Sequence, residues 1–382
     1  MRVIYFTTAI REEDYVEFTK QWKISLNPSN QNFHNKMIRA LAKTDQVEVV
    51  SLRPFSRTKC SLKKLPSEDI LDGNIIWHYL KVTKGRLLRM HVARKQIKKI
   101  YSEEDFEPTI IVSDTINPKI IRLANYLNKR KHYKIVGICT DSPSNISGTR
   151  KSYSLYILSQ SKNLDGYIAL TESLNNLFNE NDKPSILVEG IVEDSLPEPK
   201  ENEYGKYFFF GGALLPRYGV YDLIDSFNEL KNPDIKLLIC GHHGDNHRLE
   251  EAFKGNKNII YLKLLPVKEV LSLEQKAILN INPRPYSEDL DRYSIPSKTI
   301  EYMSTGTPTV SVRNTKLQKL FENECFWVKS SKKEDLLPVL KQVSSMPESE
   351  RKEFGEKAMK KVRDLYSLTS INKRVMEFLK NL

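Results

Sequence analysis

Between Ser294 and Pro308 the chain reads Ser-Ile-Pro-Ser-Lys-Thr-Ile-Glu-Tyr-Met-Ser-Thr-Gly-Thr-Pro, which sets an ammonium and a carboxylate three residues apart. Pro296 suits a first helical turn, Gly306 a left-handed residue just past the end, and Pro308 prevents continuation. A helix is therefore expected over 295–305. Ser294, Lys298, Glu301 and Thr305 recur at steps of four, three and four and would share one polar face, with Ile300 and Met303 turned to a core. The positive end of such a helix, with the Ser297 hydroxyl and the Lys298 ammonium in its first turn, suits a diphosphate. Glu301, one turn deeper, suits ribose hydroxyls as an acceptor. The alternative is a capped surface helix in which Lys298 and Glu301 form an ordinary i,i+3 pair.

Other residues could also carry chemistry. Asp141 follows an apolar run and precedes Ser142-Pro143, so it falls at the carboxyl end of a strand, where parallel sheets place ligand groups. It could orient or deprotonate a hydroxyl, or simply initiate a turn. The amides and hydroxyls of 27–34, including Asn30 and His34, suit sugar hydroxyls and equally suit a helix N-cap. Asp289-Leu290-Asp291 spells D-x-D but reads as solvated loop, and no H-E-x-x-H or H-x-H spacing accompanies His242 and His243. No metal site is expected.

The elements that must position these groups alternate. Strands are expected over 3–7, 47–52, 75–80, 109–113, 133–139 and 166–170, then 207–210, 235–240, 259–262, 277–281 and 309–312. Helical patterns lie between them at 30–42, 87–101, 221–229 and 334–344, and two more close the chain at 348–366 and 371–382. Two strand-helix series in 382 residues argue for two doubly wound parallel-sheet domains. The acidic, proline-containing stretch 193–205 reads as the linker between them. The four cysteines (Cys60, Cys139, Cys240, Cys325) are scattered, which favours reduced thiols over disulfides or zinc. The opening apolar run is too short for a signal peptide, and no stretch is long enough to span a membrane, so a cytoplasmic protein is expected.

Charge separates the halves. Residues 1–183 carry 30 basic and 19 acidic side chains, a net +11; the remaining residues carry 30 and 29. Over 87–101 a helix would bury Leu87, Met90, Ala93, Ile97 and Ile100 and turn Lys84, Lys95, Lys98 and Lys99 outward. Lysines interleaved with Leu88 and Val92 suit an anionic membrane surface. No recognition module accompanies them, so nucleic acid is not an expected partner. A plain solvated helix is the alternative.

At 210–220 the chain reads Phe-Gly-Gly-Ala-Leu-Leu-Pro-Arg-Tyr-Gly-Val, which resembles the first strand-loop-helix of the donor domain in GT-B glycosyltransferases. The run 237–244, with its Gly241-His-His-Gly ending, Asn282-Pro283 and the 294–308 segment follow in that family's order. The Pro-Ser-Lys-x-x-Glu-Tyr form of the last resembles the bacterial polysaccharide members of glycosyltransferase family 4. Thr171-Glu172-Ser173 and Val188-Glu189-Gly190-Ile191 are weaker echoes. Ala213 and Tyr218 stand where many relatives have Arg and Lys, and Tyr293 where relatives often have a sugar-contacting Glu, a role Glu288, Asp289 or Asp291 could take if the loop folds back. Arg217 could replace one missing cation by gripping phosphate, or be an ordinary loop arginine.

The resemblance implies a GT-B architecture, two Rossmann-like domains facing a cleft. Domains are expected at 1–192 and 206–362, with 363–382 returning to the first. Gly211, Gly212, Arg217, Gly241, Ser294, Pro296, Ser297, Lys298 and Glu301 would hold a nucleotide-sugar donor, with Tyr293 at the sugar. Lys298 and Glu301, with Asp141, are the candidate catalytic groups; Asn30, His34, Lys84, Lys95, Lys98 and Lys99 are candidates for acceptor or membrane. The implied reaction transfers a sugar, with retention and without cofactor or metal, to a lipid-linked saccharide in bacterial polysaccharide assembly. A non-catalytic GT-B partner subunit and a nucleotide-sugar epimerase are the alternatives.

Overall fold

The computed structural model describes residues 1–20, 27–55, 64–83, 85–103, 107–145, 150–242 and 247–382, apart from the side chains of Val16, Lys20, Arg86, Arg248 and Leu290. The chain divides into two compact units, Met1–Ile191 with Arg292–Ser294 and Tyr366–Leu382, and Val192–Asp291 with Ile295–Leu365.

In the first unit, strands β1 (Arg2–Thr7), β2 (Val47–Ser51), β5 (Ile75–Tyr79), β7 (Thr109–Asp114), β8 (Lys134–Cys139), β9 (Gly166–Ala169) and β10 (Ser185–Leu187) pair in parallel. Strand β4 (Glu68–Asp72) adds an antiparallel edge, giving the order β10-β9-β8-β7-β1-β2-β5-β4. Short strands β3 (Lys64–Leu65) and β6 (Val82–Thr83) pair separately. The central strands β1, β2 and β7 are apolar runs buried on both faces, as a covered parallel sheet requires.

The helices of this unit are α1 (Tyr15–Lys20), α2 (Pro28–Leu41), α3 (Arg86–Ile100), α4 (Pro118–Lys131), α5 (Lys151–Ser161) and α6 (Glu172–Phe178). Right-handed crossovers send α2 to one face and α3, α4 and α5 to the other. α4 packs against both α3 and α5. Asn27 and Asn117 cap α2 and α4, each followed by proline in the first turn.

In the second unit, β11 (Lys206–Gly211), β12 (Ile235–Cys240), β13 (Ile259–Tyr261), β14 (Leu279–Asn282), β15 (Thr309–Val312) and β16 (Phe326–Val328) form an all-parallel sheet ordered β13-β12-β11-β14-β15-β16. Helices α7 (Val220–Leu230), α8 (His247–Lys254), α9 (Val267–Lys276), α10 (Glu288–Asp291), α11 (Ser297–Met303), α12 (Thr315–Leu320), α13 (Lys333–Ser345) and α14 (Glu348–Tyr366) follow. Alternation along β11 divides the core. Phe208 and Phe210 pack with Leu223 and Leu340 on one face, while Tyr207 and Phe209 pack with Ala277 and Tyr302 on the other.

Segment 193–205 is coil, but Lys200 N donates to Ser272 Oγ and Gln275 Nε2 to Pro197 O, so it lies along α9 as part of the second unit. The last helix, α15 (Leu368–Lys380), packs on α2, and Arg374 Nη2 donates to Leu187 O at 2.8 Å in the first unit. Cys139, Cys240 and Cys325 are buried free thiols; Cys60 lies outside the described residues. Among the described residues no helix is long and apolar enough to cross a membrane.

Candidate functional site

In the second unit the chain winds outward from β11 through β12 to β13, then resumes at β14 and winds the other way. The carboxyl ends of β11 and β14 therefore flank a topological switch point, the usual ligand crevice of an open parallel sheet. Gly211 ends β11, Gly241 follows β12, and α11 follows β14.

Close backbone approach joins these ends. Gly212 N donates to Cys240 O at 2.8 Å, and a Cβ placed on Gly241 would lie 1.7 Å from Gly212 O, with Gly241 at φ 148°. Only glycine fits there. Lys298 comes to the same place, since a Cβ on Gly212 would meet its Cε at 3.0 Å. Its ammonium stands 5.9 Å from the Tyr302 ring centroid. Lys298 is half-buried, and among the described residues no carboxylate pairs with it, so the ordinary pair with Glu301 is not formed. Glu301 is half-buried one turn on.

Tyr302, which the sequence reading left as part of a motif, clamps the arrangement. Gly211 N donates to its hydroxyl at 2.9 Å, and that hydroxyl donates back to Gly211 O at 3.1 Å. Burial pushes the phenol well above its ordinary value, so it stays neutral. Asn282 Nδ2 donates to Thr299 Oγ1 at 2.9 Å, and Thr299 shares a hydrogen bond with Ser311, tying α11 to β14 and β15.

Several expectations need correction. α11 covers Ser297–Met303, shorter than 295–305, with Pro296 at the N-cap position instead of the first turn. Ser297 N donates to Ile295 O and Thr299 N to Pro296 O, so this tight entry already uses N–H groups expected to face an anion. The N–H groups of Gly211, Gly212 and Gly241 are engaged as well, by Tyr302, Cys240 and Lys263. Cationic chemistry here therefore rests on Lys298. Gly306 does end the segment at φ 80°, but Thr305 is buried, its Oγ1 bonded to Tyr302 O. Ser294 and Tyr293 precede the helix and fall in the first unit with Arg292, whose backbone O accepts from Thr171 Oγ1 at 3.2 Å. Arg217 is exposed on the turn Pro216–Tyr218, its guanidinium 5.1 Å from the Tyr218 ring centroid. Asp291 is buried and held by Arg284 at 2.9 Å, by Ser287 N and by Asn314, which removes it from sugar contact. His243 and Gly244 lie outside the described residues. Among the described residues no group of three His, Cys, Asp or Glu is placed to hold a metal.

In the first unit Asp141 sits just past β8, half-buried, with Ser142 N donating to its Oδ1 at 2.7 Å. Burial raises its carboxyl above the ordinary value despite that bond. His34 is fully buried, 2.7 Å from the Tyr5 hydroxyl and 3.7 Å from Asp114, and burial lowers its pKa. It is a core residue and cannot touch an acceptor. Asn30 lies in the first turn of α2, its N–H bonded to the capping Asn27, so the 27–34 amides serve the helix start. On α3, Lys95, Lys98 and Lys99 are exposed as expected, and Lys84 lies outside the described residues. Leu87, expected in the core, is exposed; Arg89 is buried instead, donating to Thr83 O and stacking on Phe55. A cluster that the sequence did not single out stands at the carboxyl ends of β1 and β5. Arg11 grips Asp14 through Nε and Nη2, and Tyr79 donates to Asp14 at 2.7 Å while accepting from Arg11 N.

Comparison with known proteins agrees with this geometry. Residues 192–361 match the family model for glycosyl transferases group 1. Toxin A of Clostridium novyi is 23% identical over 239 residues, 62% of this chain but only 9% of that protein's length. Among solved structures, sucrose-phosphate synthase from Thermosynechococcus elongatus is similar over 100% of this chain and 99% of its own, with a TM-score of 0.69 at 12% identity. Anabaena Alr3699/HepE, solved in complex with UDP and glucose, is similar over 100% of both chains, with a TM-score of 0.68 at 11% identity. At such identities these structures show the fold, two Rossmann-like domains of GT-B type. Residues 192–361 of the second unit accordingly match a group 1 glycosyl transferase domain, on a fold of GT-B type.

Proposed function

We propose that the enzyme moves a sugar from a nucleotide-diphosphate donor to a lipid-linked saccharide at the cytoplasmic face of a membrane, in bacterial polysaccharide assembly, with retention and without a metal. The observation that carries the donor reading is Lys298, half-buried beside the Gly212 backbone at the switch point and without an ion pair among the described residues. A half-buried ammonium gains most from an anion it can neutralise, and a departing diphosphate supplies one as the anomeric C–O bond breaks. Glu301 accepts from the ribose hydroxyls. The acceptor hydroxyl oxygen forms the new bond to the anomeric carbon, and Asp141, with its raised pKa, orients that hydroxyl or takes its proton. The relative solved with UDP and glucose supports this donor class.

The test is a mass-spectrometric assay of the purified chain with a panel of nucleotide sugars and a membrane lipid extract. A sugar-sized mass gain on a lipid-linked saccharide supports the reading, whereas product without any acceptor indicates epimerisation. Gain only on a soluble acceptor contradicts the lipid-linked part.

A further inference from the structure

The helical layer of the first unit, α3 with α4 and α5, contains twelve lysines and arginines and no aspartate or glutamate. α4 packs against both neighbours, so the three helices form one layer. Lys95, Lys98 and Lys99 of α3, Lys129 and Arg130 of α4 and Lys151 of α5 are all exposed. Apolar side chains of the same helices stand in solvent, Leu87 at 91% exposure and Leu155 at 58%, with Leu88, Tyr153 and Tyr156. Leu87 and Leu88 occupy the first turn of α3, and Tyr153 to Tyr156 the first turns of α5. Both apolar sets therefore lie at the end of the layer nearest the carboxyl edge of the sheet. Arginines and tyrosines interleave between them. Arg122 Nη1 donates to the Tyr156 hydroxyl at 3.3 Å, and the guanidinium groups of Arg94 and Arg130 stand 5.3 and 5.9 Å from the Tyr126 ring centroid.

We propose that this face docks the enzyme on an anionic lipid bilayer, with Leu87, Leu88, Tyr153, Leu155 and Tyr156 entering the headgroup region at one end of the layer and the exposed cations along its helices meeting lipid phosphates. Charge complementarity selects the occupant, since three adjoining helices without a carboxylate have little to offer a basic surface and attract an anionic one. Exposed leucines and tyrosines on a basic helical layer are the side chains that settle at a membrane interface. The proposal deepens the lipid-linked acceptor reading, on which its purpose rests, by assigning the surface that meets the membrane.

The test is co-sedimentation of the full chain with vesicles of phosphatidylcholine alone or mixed equally with phosphatidylglycerol, without nucleotide sugar. Each basic residue near the surface multiplies the partition about fivefold. Wild type should prefer the anionic vesicles by at least about tenfold, and the preference should shrink with salt. The triple variant Lys95→Glu, Lys98→Glu, Lys99→Glu should lose about 100-fold in partition, and Leu87→Ser with Leu155→Ser about tenfold. All these positions are exposed, so thermal unfolding should be unchanged. Equal binding to both vesicle types, or full binding by the triple variant, overturns the proposal. So does homopolymer RNA that displaces the chain from anionic vesicles at equal phosphate concentration. A chain that glycosylates only soluble acceptors yet binds these vesicles leaves the docking face standing and removes the lipid-linked acceptor. Lipid glycosylation in detergent without vesicle binding removes the face alone.

Discussion

At the switch point of the second unit Lys298 is half-buried with no ion pair among the described residues, whereas at the carboxyl edge of the first unit Arg11, Asp14 and Tyr79 hold one another through four hydrogen bonds. The contrast separates two uses of charge. A guanidinium gripped by its own carboxylate shapes a loop and gains little from a ligand. A half-buried ammonium beside glycine backbone gains from any diphosphate that reaches it. Net charge follows the opposite distribution, because the basic excess lies in residues 1–183, where Lys95, Lys98, Lys99, Lys129, Arg130 and Lys151 are exposed on helices. The proposed donor chemistry is thus concentrated in one short segment, while the charge of the first unit is spread over a surface.

Substitutions in each unit can break this contrast. The largest effect is expected from Gly241→Ala, whose Cβ would overlap the Gly212 carbonyl. Loss of about 4 kcal/mol or more in denaturant unfolding of the second unit is expected, and near-wild-type stability would show that the close approach is not needed. Lys298→Ala should lower transfer about 10²–10³-fold without lowering Tm, since no ion pair is lost; unchanged turnover would place leaving-group stabilisation elsewhere. Asp141→Asn should lower transfer about 100-fold if the carboxylate serves as base. The wild-type rate should then fall as pH drops through the raised Asp141 pKa, because only the carboxylate accepts a proton, and the variant should lack that limb. A variant that keeps the acid limb would assign it to another group. Tyr302→Phe is the mildest, leaving buried Gly211 N–H without its acceptor at a cost of about 2 kcal/mol, read as a lower Tm with donor binding weakened less than in Lys298→Ala.

The alternation of apolar strands with helical patterns made both parallel sheets legible, because strands buried on two faces must be nearly continuous apolar runs. The donor segment was legible for a related reason, since Gly211, Gly241, Lys298 and Glu301 lie in motifs whose spacing is local. What escaped was set by tertiary contacts. Two of the first N–H groups of α11 are used by Ile295 and Pro296 carbonyls, a detail of the turn that no residue type announces. His34 looked like a sugar ligand because a polar loop precedes it, yet α2 turns it beneath the sheet edge onto Tyr5 and Asp114. On α3 the expected stripe has Leu87 inside, but Leu87 faces solvent, and Arg89 is buried on Thr83 O and Phe55. α5 was not anticipated, and its Tyr153, Leu155 and Tyr156 point outward, against the rule by which amphipathic helices are read.

Calorimetric titration of the wild-type chain and of Lys298→Ala with UDP, GDP and related nucleoside diphosphates tests the central claim most directly. One of these nucleotides should bind the wild type and bind the variant at least about tenfold more weakly. Equal affinity for the two proteins, or no binding to the wild type by any member of the panel, would contradict a donor site built on Lys298.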